Sequence, residues 1–301
     1  LNALALQTLP KEAFEVIVVS DGPDQETVQA VNQWVSPTGF QLRLLNSPWK
    51  KGPAYARNYG WIRAESTLIA FTDDDCLPDE KWLESFLNAY SGQTYLAVTG
   101  KTQVPLPKPK TDFAINLAQL EQASFITANC ACTKNALIKV GGFDERFKMA
   151  WREDSDLEFN LMTNSIPIIN VEGAIVVHPI RQVPWGISLT EQKKGIYDAL
   201  LFKKYPELYR TNITSGIALY YGIMAAVILF ILSALFNWTL ILLLTGVALI
   251  ILYNQFIHKR LANRNYSLSH VTEIIMTSIV IPFLSVFYRI YGAIKYRVFF
   301  I

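Results

Sequence analysis

Three carboxylates in a row, Asp73-Asp74-Asp75, close the apolar run Ile69-Ala70-Phe71-Thr72. Adjacent acids repel one another, which costs stability unless a cation or hydrogen-bond donors answer them. Carboxylates suit a hard divalent cation such as Mg²⁺ or Mn²⁺. Two more acidic places stand at the edges of elements: Asp21, after the run at 14–19 (FEVIVV), and Glu153-Asp154-Ser155-Asp156, ahead of a helical pattern. Between the first two lies Lys50-Lys51-Gly52-Pro53-Ala54-Tyr55-Ala56-Arg57-Asn58-Tyr59-Gly60. A basic, glycine-bearing loop that runs into a helix N-terminus is a ready anion site. Anion-binding groups beside metal-binding carboxylates suggest a diphosphate bridged by a divalent metal, with a further acid left over as general base. For any single acidic cluster the competing interpretation is a solvated turn.

These side chains need elements to carry them. Short, β-branched or apolar runs at 14–19, 40–45, 67–72 and 95–99 read as buried strands. Helical patterns lie between them: one with Val28, Val31 and Val35 on a face, one at 54–64, and one with Trp82, Leu83, Phe86, Leu87 and Tyr90. Strands alternating with helices predict an α/β fold with a mostly parallel, doubly wound sheet. In such sheets ligands bind at the carboxyl ends of the strands, where the acids fall. Beyond Val104, a Pro/Lys connector precedes a helix over 112–125, a strand over 128–134 and a turn at 140–147. Residues 168–178 read as a pair of strands. Ser188-Leu189-Thr190-Glu191 fits a capping box for a helix running toward Tyr205-Pro206. Residues 1–9 look like part of a helix, which suggests that chain precedes Leu1.

The 301 residues suit one ordinary domain plus an extra part. Their net charge of +2 is too small to imply a nucleic-acid partner. Cys76, Cys130 and Cys132 form a poor zinc pattern and read as reduced thiols. The 51% hydrophobic content is concentrated toward the C-terminus. The 47 positions from Thr211 to Ile257 contain no charged residue, and one crossing of a bilayer takes roughly 20. Two transmembrane helices, at 215–236 and 238–257, account for the run. Arg210 precedes it and His258, Lys259, Arg260 and Arg264 follow, so the positive-inside rule puts both flanks on the cytoplasmic side. A third apolar segment, 274–288, is about three-quarters of a crossing and is interrupted by Pro282, which favours an interfacial or re-entrant placement. The expected organisation is a cytoplasmic domain at 1–210, a membrane hairpin at 211–258 and a basic, amphipathic or third membrane segment at 259–301.

Five motifs in order give the chain a resemblance to family 2 glycosyltransferases of the GT-A fold. They are Val19-Ser20-Asp21-Gly22 for D-D-G, Gly52 through Ala56-Arg57-Asn58-Tyr59-Gly60 for G-x-x-x-A-R-N-x-G, and Asp73-Asp74-Asp75 for D-x-D. Gly141-Gly142-Phe143-Asp144-Glu145 matches G-G-F-D-E, and Glu153-Asp154-Ser155-Asp156-Leu157 matches E-D-x-D-L. The resemblance implies a nucleotide-sugar site formed by Asp21, Gly52, Arg57, Asp73 and Asp74. Asp21 would meet the base, which is expected to be uracil, and Asp73 the ribose. It further implies that Asp75, with His178, holds Mg²⁺ or Mn²⁺, and that Asp154 deprotonates the acceptor hydroxyl in an inverting transfer. Trp151, Glu153 and Trp185 are assigned to the acceptor side, with Asn129 and the Gly142-Phe143 turn also candidates to line it. The membrane segments imply a lipid or polyprenyl-linked glycan as acceptor and a multi-pass protein of a bacterial inner (plasma) membrane with its catalytic domain in the cytoplasm.

The chain departs from the family pattern in places. Ser20 replaces the first Asp of D-D-G, and Gln182-Val183-Pro184-Trp185 lacks the Arg of the Q-x-x-R-W of polymerising synthases. The family's first strand, with a further nucleotide-binding loop, would lie ahead of Leu1. Against the enzyme stands a non-catalytic membrane protein whose GT-A-like domain binds a nucleotide sugar or a partner, but a pure binding module has no need of the general base at Asp154. A nucleotidyltransferase would require a glycine-rich activating loop near its N-terminus.

Overall fold

The computed structural model describes residues 1–34, 41–213, 216–262 and 266–300. Val35, Phe40, Ser215 and Arg264, each part of an expectation above, lie outside them. The chain divides into two compact units, Leu1–Pro105 with Ala118–Ile180, and Leu106–Leu117 with Arg181–Ile301.

The first unit is mixed α/β. Its strands are β1 (Glu15–Ser20), β2 (Gln41–Asn46), β3 (Leu68–Phe71), β4 (Leu77–Pro78), β5 (Ala97–Gln103), β6 (Cys130–Thr133) and β7 (Ile168–Val177). Its helices are α1 (Asn2–Ala5), α2 (Gln25–Asn32), α3 (Pro53–Trp61) and α4 (Trp82–Ala89), followed after α5 (Asp112–Leu117, in the second unit) by α6 (Lys134–Val140) and α7 (Glu153–Thr163). β1 and β2 pair in parallel, and the other strands form a sheet in the order β3-β6-β5-β7-β4. Parallel pairing is confined to β1–β2 and β5–β7; β3–β6, β5–β6 and β4–β7 are antiparallel. The expectation of a mostly parallel sheet is corrected to this extent. The helix-linked first half reads as β-α-β, but β6 returns through a long connection and runs against both its neighbours.

Two further sequence expectations change. Residues expected as two strands over 168–178 form one, Ile168–Val177, with His178 just beyond it. Ile168 to Val171 pair with Ala97 to Gly100, and Ile175 to Val177 pair with Lys101 to Gln103, in the same direction. The intervening Glu172-Gly173-Ala174 is a bulge, which mimics a hairpin turn in the sequence. The bulge closes on Gly100, where a Cβ would stand 2.2 Å from the Ala174 carbonyl oxygen and 2.4 Å from Asn129 Oδ1. The helix expected at 112–125 is α5 followed by a 3-10 turn, Ala118–Gln122.

One core cluster packs Ile69 and Phe71 of β3 against Cys130 and Cys132 of β6, Leu137 of α6 and Leu157 and Leu161 of α7. On the other side, Trp82 and Phe86 of α4 pack on Val98, Ala131 and Val176. The cores thus grip the strands whose ends carry the acids.

The second unit holds α8 (Ile187–Glu191), α9 (Ile196–Lys204), α10 (Pro206–Asn212), α11 (Ala218–Leu235), α12 (Thr239–Leu261) and α13 (Leu268–Tyr296). Ser188 lies inside α8, whose N-cap is Gly186, so the proposed capping box does not form there. α11, α12 and α13 are each long and apolar enough to cross a membrane. This corrects the length assigned to the third segment: α13 has 29 residues and runs through Pro282 without a break. Its exposed face is apolar, with Ile275, Ile279, Phe283, Phe287, Ile290 and Ile294. Its buried face includes His270, Thr277, Ser278 and Arg289. Arg260, near the end of α12, is buried on Asp112 of α5, with Nε and Nη2 at 3.1 and 2.8 Å from Oδ2. Its Nη1 donates to Thr277 and Ser278 of α13 at 2.8 and 2.9 Å. A buried guanidinium needs this many partners, because each unmet charge or donor in a core is costly.

Candidate active site

The loop entering α3 is built on Gly52 and Asp21. Gly52 has φ +102°, and a Cβ there would lie 2.5 Å from the Lys148 carbonyl oxygen. Positive φ and close backbone approach both select glycine. Pro53 follows at the first helical position, where its missing N–H costs nothing. The Asp21 carboxylate accepts the Lys51 and Gly52 backbone N–H groups, each at 2.8 Å. Asp21, expected on the nucleotide base, therefore also organises the basic loop. Ser20, in place of the family's first Asp, donates its hydroxyl to the Gly22 carbonyl at 2.6 Å and shapes the same turn.

Farther along α3, Asn58 uses its whole amide. Oδ1 accepts from Trp61 Nε1 at 2.8 Å and from the Phe143 N–H at 2.9 Å. Nδ2 donates to the Phe143 carbonyl at 2.8 Å and to Glu145 Oε1 at 3.0 Å. Gly142, with φ +68°, has no room for a Cβ, which would meet Asn58 Oδ1 at 2.6 Å. The A-R-N and G-G-F-D-E motifs thus lock together. The Gly142-Phe143 turn, offered above for the acceptor side, is buried structure. Asn129 is likewise fully buried, accepting from Trp82 Nε1 at 2.8 Å and donating to Ala174 O at 3.0 Å.

The D-x-D turn leaves β3 and is folded back at once: the Cys76 N–H donates to the Asp73 carbonyl at 3.1 Å. β4 then pairs with the end of β7, Leu77 opposite Val177. That ladder carries Asp75 and Cys76 to His178, which follows β7 and whose own N–H donates to Gln103 O at 2.8 Å. One ligand atom from each of Asp75, Cys76 and His178 lies within 4.8 Å of the other two. A carboxylate suits Mn²⁺ or Mg²⁺, and the added imidazole favours the softer Mn²⁺ of the two. Burial, then the charges of Asp73 and Asp75, push the Cys76 thiol up to about 12, and a soft sulfur donor is a poor match for a hard cation. The donor set thus fits a divalent metal held by Asp75 and His178. Cys76 was missed as a neighbour of this place, although it directly follows Asp75. Asp74 is exposed between the two acids.

Arg57 was expected on phosphate or nucleotide. It joins two acidic motifs: Nη2 donates to Asp73 Oδ1 at 2.8 Å, and Nη1 to Glu153 Oε1 at 3.1 Å. Its guanidinium lies 5.8 Å from the centre of the Phe143 ring. Burial opposes its charge, but Asp73 and Glu153 outweigh that and hold its pKa above the ordinary value. The sequence contains no signal for this pairing, since Arg57 is 96 residues from Glu153.

Glu153 and Asp154 open α7 behind Arg152, which takes the left-handed conformation at the N-cap with φ +72°. Acids in a first turn complement the helix dipole. Glu153 was assigned to the acceptor side, and is instead 3% exposed beneath Arg57. Its Oε2 is buried without a hydrogen-bond partner. Burial, then the adjacent Asp154 charge, raises it to about 7, against the pull of Arg57. Burial also raises Asp154, opposed by the Ser155 N–H, which Oδ1 accepts at 2.7 Å, and by Arg57 and Arg152. Trp151, partly exposed, stands beside Arg152, whose guanidinium lies 4.7 Å from its ring centre. Trp185 is exposed and belongs to the second unit.

This arrangement places Arg57, Asp73, Glu153 and Asp154 in one group. Asp75 and His178 lie at the turn that continues from Asp73, and Asp21 and Gly52 at the N-terminus of the helix that carries Arg57.

Comparison with known proteins covers part of this site, up to residue 147 for the family match. The Glycosyl transferase family 2 model matches residues 1–147. The glycosyltransferase AglE of Haloferax volcanii is 31% identical over 144 residues, covering 46% of this chain and 46% of that protein. The pre-mycofactocin glycosyltransferase of Mycobacterium tuberculosis is 29% identical over 198 residues, covering 60% of this chain and 41% of that protein. The chain thus spans somewhat less than half the length of these relatives. Among solved structures, the mannosyltransferase PcManGT from Pyrobaculum calidifontis, in complex with GDP-Man and Mn²⁺, aligns with a TM-score of 0.54 at 16% identity, over 98% of this chain and 81% of that one. GalNAc-T7 with UDP, GalNAc and Mn²⁺ aligns at 0.52 and 12% identity, over 73% and 46%. At these identities the likeness concerns the fold. On its motifs, its family match and its architecture, the N-terminal part of the chain, residues 1–147, belongs to glycosyl transferase family 2 and is built on the GT-A fold.

Proposed function

We propose that this protein transfers a sugar, with inversion, from a nucleotide sugar to a hydroxyl of a membrane-associated acceptor, a lipid or a polyprenyl-linked glycan. The observation that carries this reading is the Arg57 bridge, which gathers the D-x-D turn and the Glu153-Asp154 turn around one guanidinium. Donor-side and acceptor-side carboxylates are thereby brought to the same place. Asp154 serves as the base: the acceptor hydroxyl gives up its proton to the carboxylate as its oxygen bonds to the anomeric carbon. The bond from that carbon to the phosphate oxygen breaks, and its electron pair leaves with the nucleoside diphosphate. A base whose pKa is raised toward the working pH is better matched to this task. Asp75 and His178 would hold the divalent metal, whose chemistry there is to neutralise charge on a diphosphate. Asp73 and Asp21 would face the nucleotide, which we take to be UDP-linked. The two structural neighbours hold GDP-Man or UDP together with Mn²⁺, so UDP- and GDP-sugars with Mn²⁺ are the first to assay.

The second unit is proposed as the anchor. α11 and α12 would cross a bacterial inner membrane as a hairpin, turning at Asn237-Trp238 and leaving the transferase domain in the cytoplasm. The apolar face of α13 and its packing on α8 and α9 favour a place along the interface. Cysteine labelling at Asn237 tests the hairpin, since label reaching it from the cytoplasmic side overturns this topology.

The activity is tested with the full chain in membranes, offered a panel of nucleotide sugars and a membrane-extract acceptor. Wild type transfers sugar. Asp154→Asn binds donor equally but loses about 10²–10⁴ in rate. A wild type that binds a sugar nucleotide and never turns it over, or an Asp154→Asn that keeps the full rate, overturns the reading.

A further inference from the structure

We propose that a cavity beside α7, about one helical turn beyond Asp154, is a second subsite that takes a sugar unit of the acceptor, so that this chain extends an acceptor which already carries sugar. The proposal rests on the reading of Asp154 as the base. The cavity has a volume of about 410 Å³, within the usual range for small-molecule sites. Glu158 and Met162 of α7 line it on one side, and Thr99 of β5 and Asn170 of β7 on the other. Asp154, Glu158 and Met162 follow one another at four-residue spacing and so share one stripe of the helix. Leu157 and Leu161, on the adjoining stripe, turn into the core. Along the helix axis Glu158 therefore stands roughly 6 Å beyond the base, and Met162 roughly 12 Å.

The sheet side of the cavity leads toward His178. Ala97 of β5 packs in the same core cluster as α7, while Val98 packs in the other. Alternation along the strand then puts Thr99, Lys101 and Gln103 on the α7 side. Lys101 and Gln103 are exposed, so this face is open beyond Thr99. It ends where the Gln103 carbonyl accepts the His178 N–H. From Thr99 to Gln103 is about 13 Å of strand.

The lining decides between a sugar and a hydrocarbon tail. Met162, Ile166 and Ile168 are apolar, whereas Thr99, Ser124, Glu158 and Asn170 supply hydroxyl, carboxyl and amide groups. Burial raises the pKa of Glu158, and the neighbouring Ser124 hydroxyl lowers it. A pyranose has the matching form, with an apolar face and hydroxyls around its edge. A lipid tail would take water from Glu158 without replacing its hydrogen bonds, which is costly.

The test uses the full chain in nanodiscs and p-nitrophenyl glycosides of glucose, galactose and N-acetylglucosamine, as mono- and disaccharides. Binding is read without donor by saturation-transfer difference NMR. Transfer is then assayed with UDP- and GDP-sugars and Mn²⁺. Disaccharides should bind at least about tenfold more tightly than monosaccharides, the weight of one well-met polar group. Met162→Trp fills the cavity from a position 44% exposed, so it should fold, and it should abolish this preference. Glu158→Gln keeps the shape of its side chain and should weaken disaccharide binding by about 10–100-fold, as expected for hydrogen bonds to a charged group. In both variants UDP binds as in wild type, and the loss in transfer falls on the acceptor KM. A merely structural role would weaken UDP and glycoside binding together, and that result overturns the proposal. So does a wild type that binds none of the glycosides, or binds mono- and disaccharides equally. Because binding is read without transfer, the two readings fail separately. A chain that shows the disaccharide preference and its loss in Met162→Trp, yet never transfers sugar, defeats the proposed reaction and leaves the subsite. An active chain that loads polyprenyl phosphate and ignores both variants defeats the subsite alone.

Discussion

Truncating Asn58 to alanine should loosen the junction of two motifs without touching any carboxylate proposed for chemistry. The side chain is buried and makes four hydrogen bonds, two to the Phe143 backbone, one to Trp61 and one to Glu145. Its removal strands the Trp61 N–H and the Phe143 N–H and carbonyl in a core. Each such group costs roughly 1–3 kcal/mol when left unmet. A water entering the vacated space would recover part of this, so three groups sum to about 3–5 kcal/mol. For a domain of this size that corresponds to a fall in Tm of about 6–20 °C. The assay is thermal unfolding of the full chain in detergent, followed by circular dichroism and by tryptophan fluorescence. Asn58→Asp is the matched partner. It keeps the acceptor for Trp61 and the Phe143 N–H, but turns an oxygen toward the Phe143 carbonyl and the Glu145 carboxylate. It should destabilise at least as much as alanine, and more as pH rises. An alanine variant that melts within about 2 °C of wild type would refute the claim that this amide locks the two motifs.

Gly52→Ala places a Cβ 2.5 Å from the Lys148 carbonyl oxygen at a φ of +102°, so the loop must shift off the Asp21 carboxylate. A stability loss of about 2–4 kcal/mol and weaker donor binding are expected, measured by melting and by titration with UDP, while Lys51→Ala, which leaves both backbone bonds in place, melts as wild type. Glu153 has its pKa raised from 4.5 to about 7, so between these values the folded state holds a proton that the unfolded chain has lost. Stability from this group is full below pH 4.5, falls as pH rises to 7 and is flat above, a loss on the order of 3 kcal/mol. Denaturant melts at pH 5 and 7.5 should show this slope in wild type and much less of it in Glu153→Gln. In the second unit, Arg260→Gln or Asp112→Asn breaks a buried ion pair and should cost about 3–5 kcal/mol. The double variant should lose clearly less than the two losses combined, and strict additivity in that cycle would deny the coupling.

The acids were legible because charge at the end of an apolar run breaks a local pattern. β1 and β3 are short apolar strands whose ends lead to Asp21 and Asp73, and α7 opens with Glu153 and Asp154. The uncharged stretch from Thr211 to Ile257 likewise declares long apolar helices through composition alone. Such features depend on residues close in sequence, and hydrophobic periodicity records them directly. The glycines at 52 and 142 were visible as motif positions, but their reason was not. The reason is a neighbouring backbone or side chain, Lys148 in one case and Asn58 in the other.

What the sequence left open depended on contacts between distant segments. The partner of Arg57 could not be read from its neighbours, because Asp73 and Glu153 reach it only when β3 and α7 pack on one core. The same folding turned Glu153 from a supposed acceptor-side acid into a buried one, and burial is what alters its proton affinity. Asp75 and His178 meet because two residues of β4 zip onto the end of β7. Local pattern thus names the acids and the apolar helices. Which acid faces a cation, a proton or a metal is decided by long-range pairing, because solvent exclusion and charge proximity exist only once the strands and helices have closed around them.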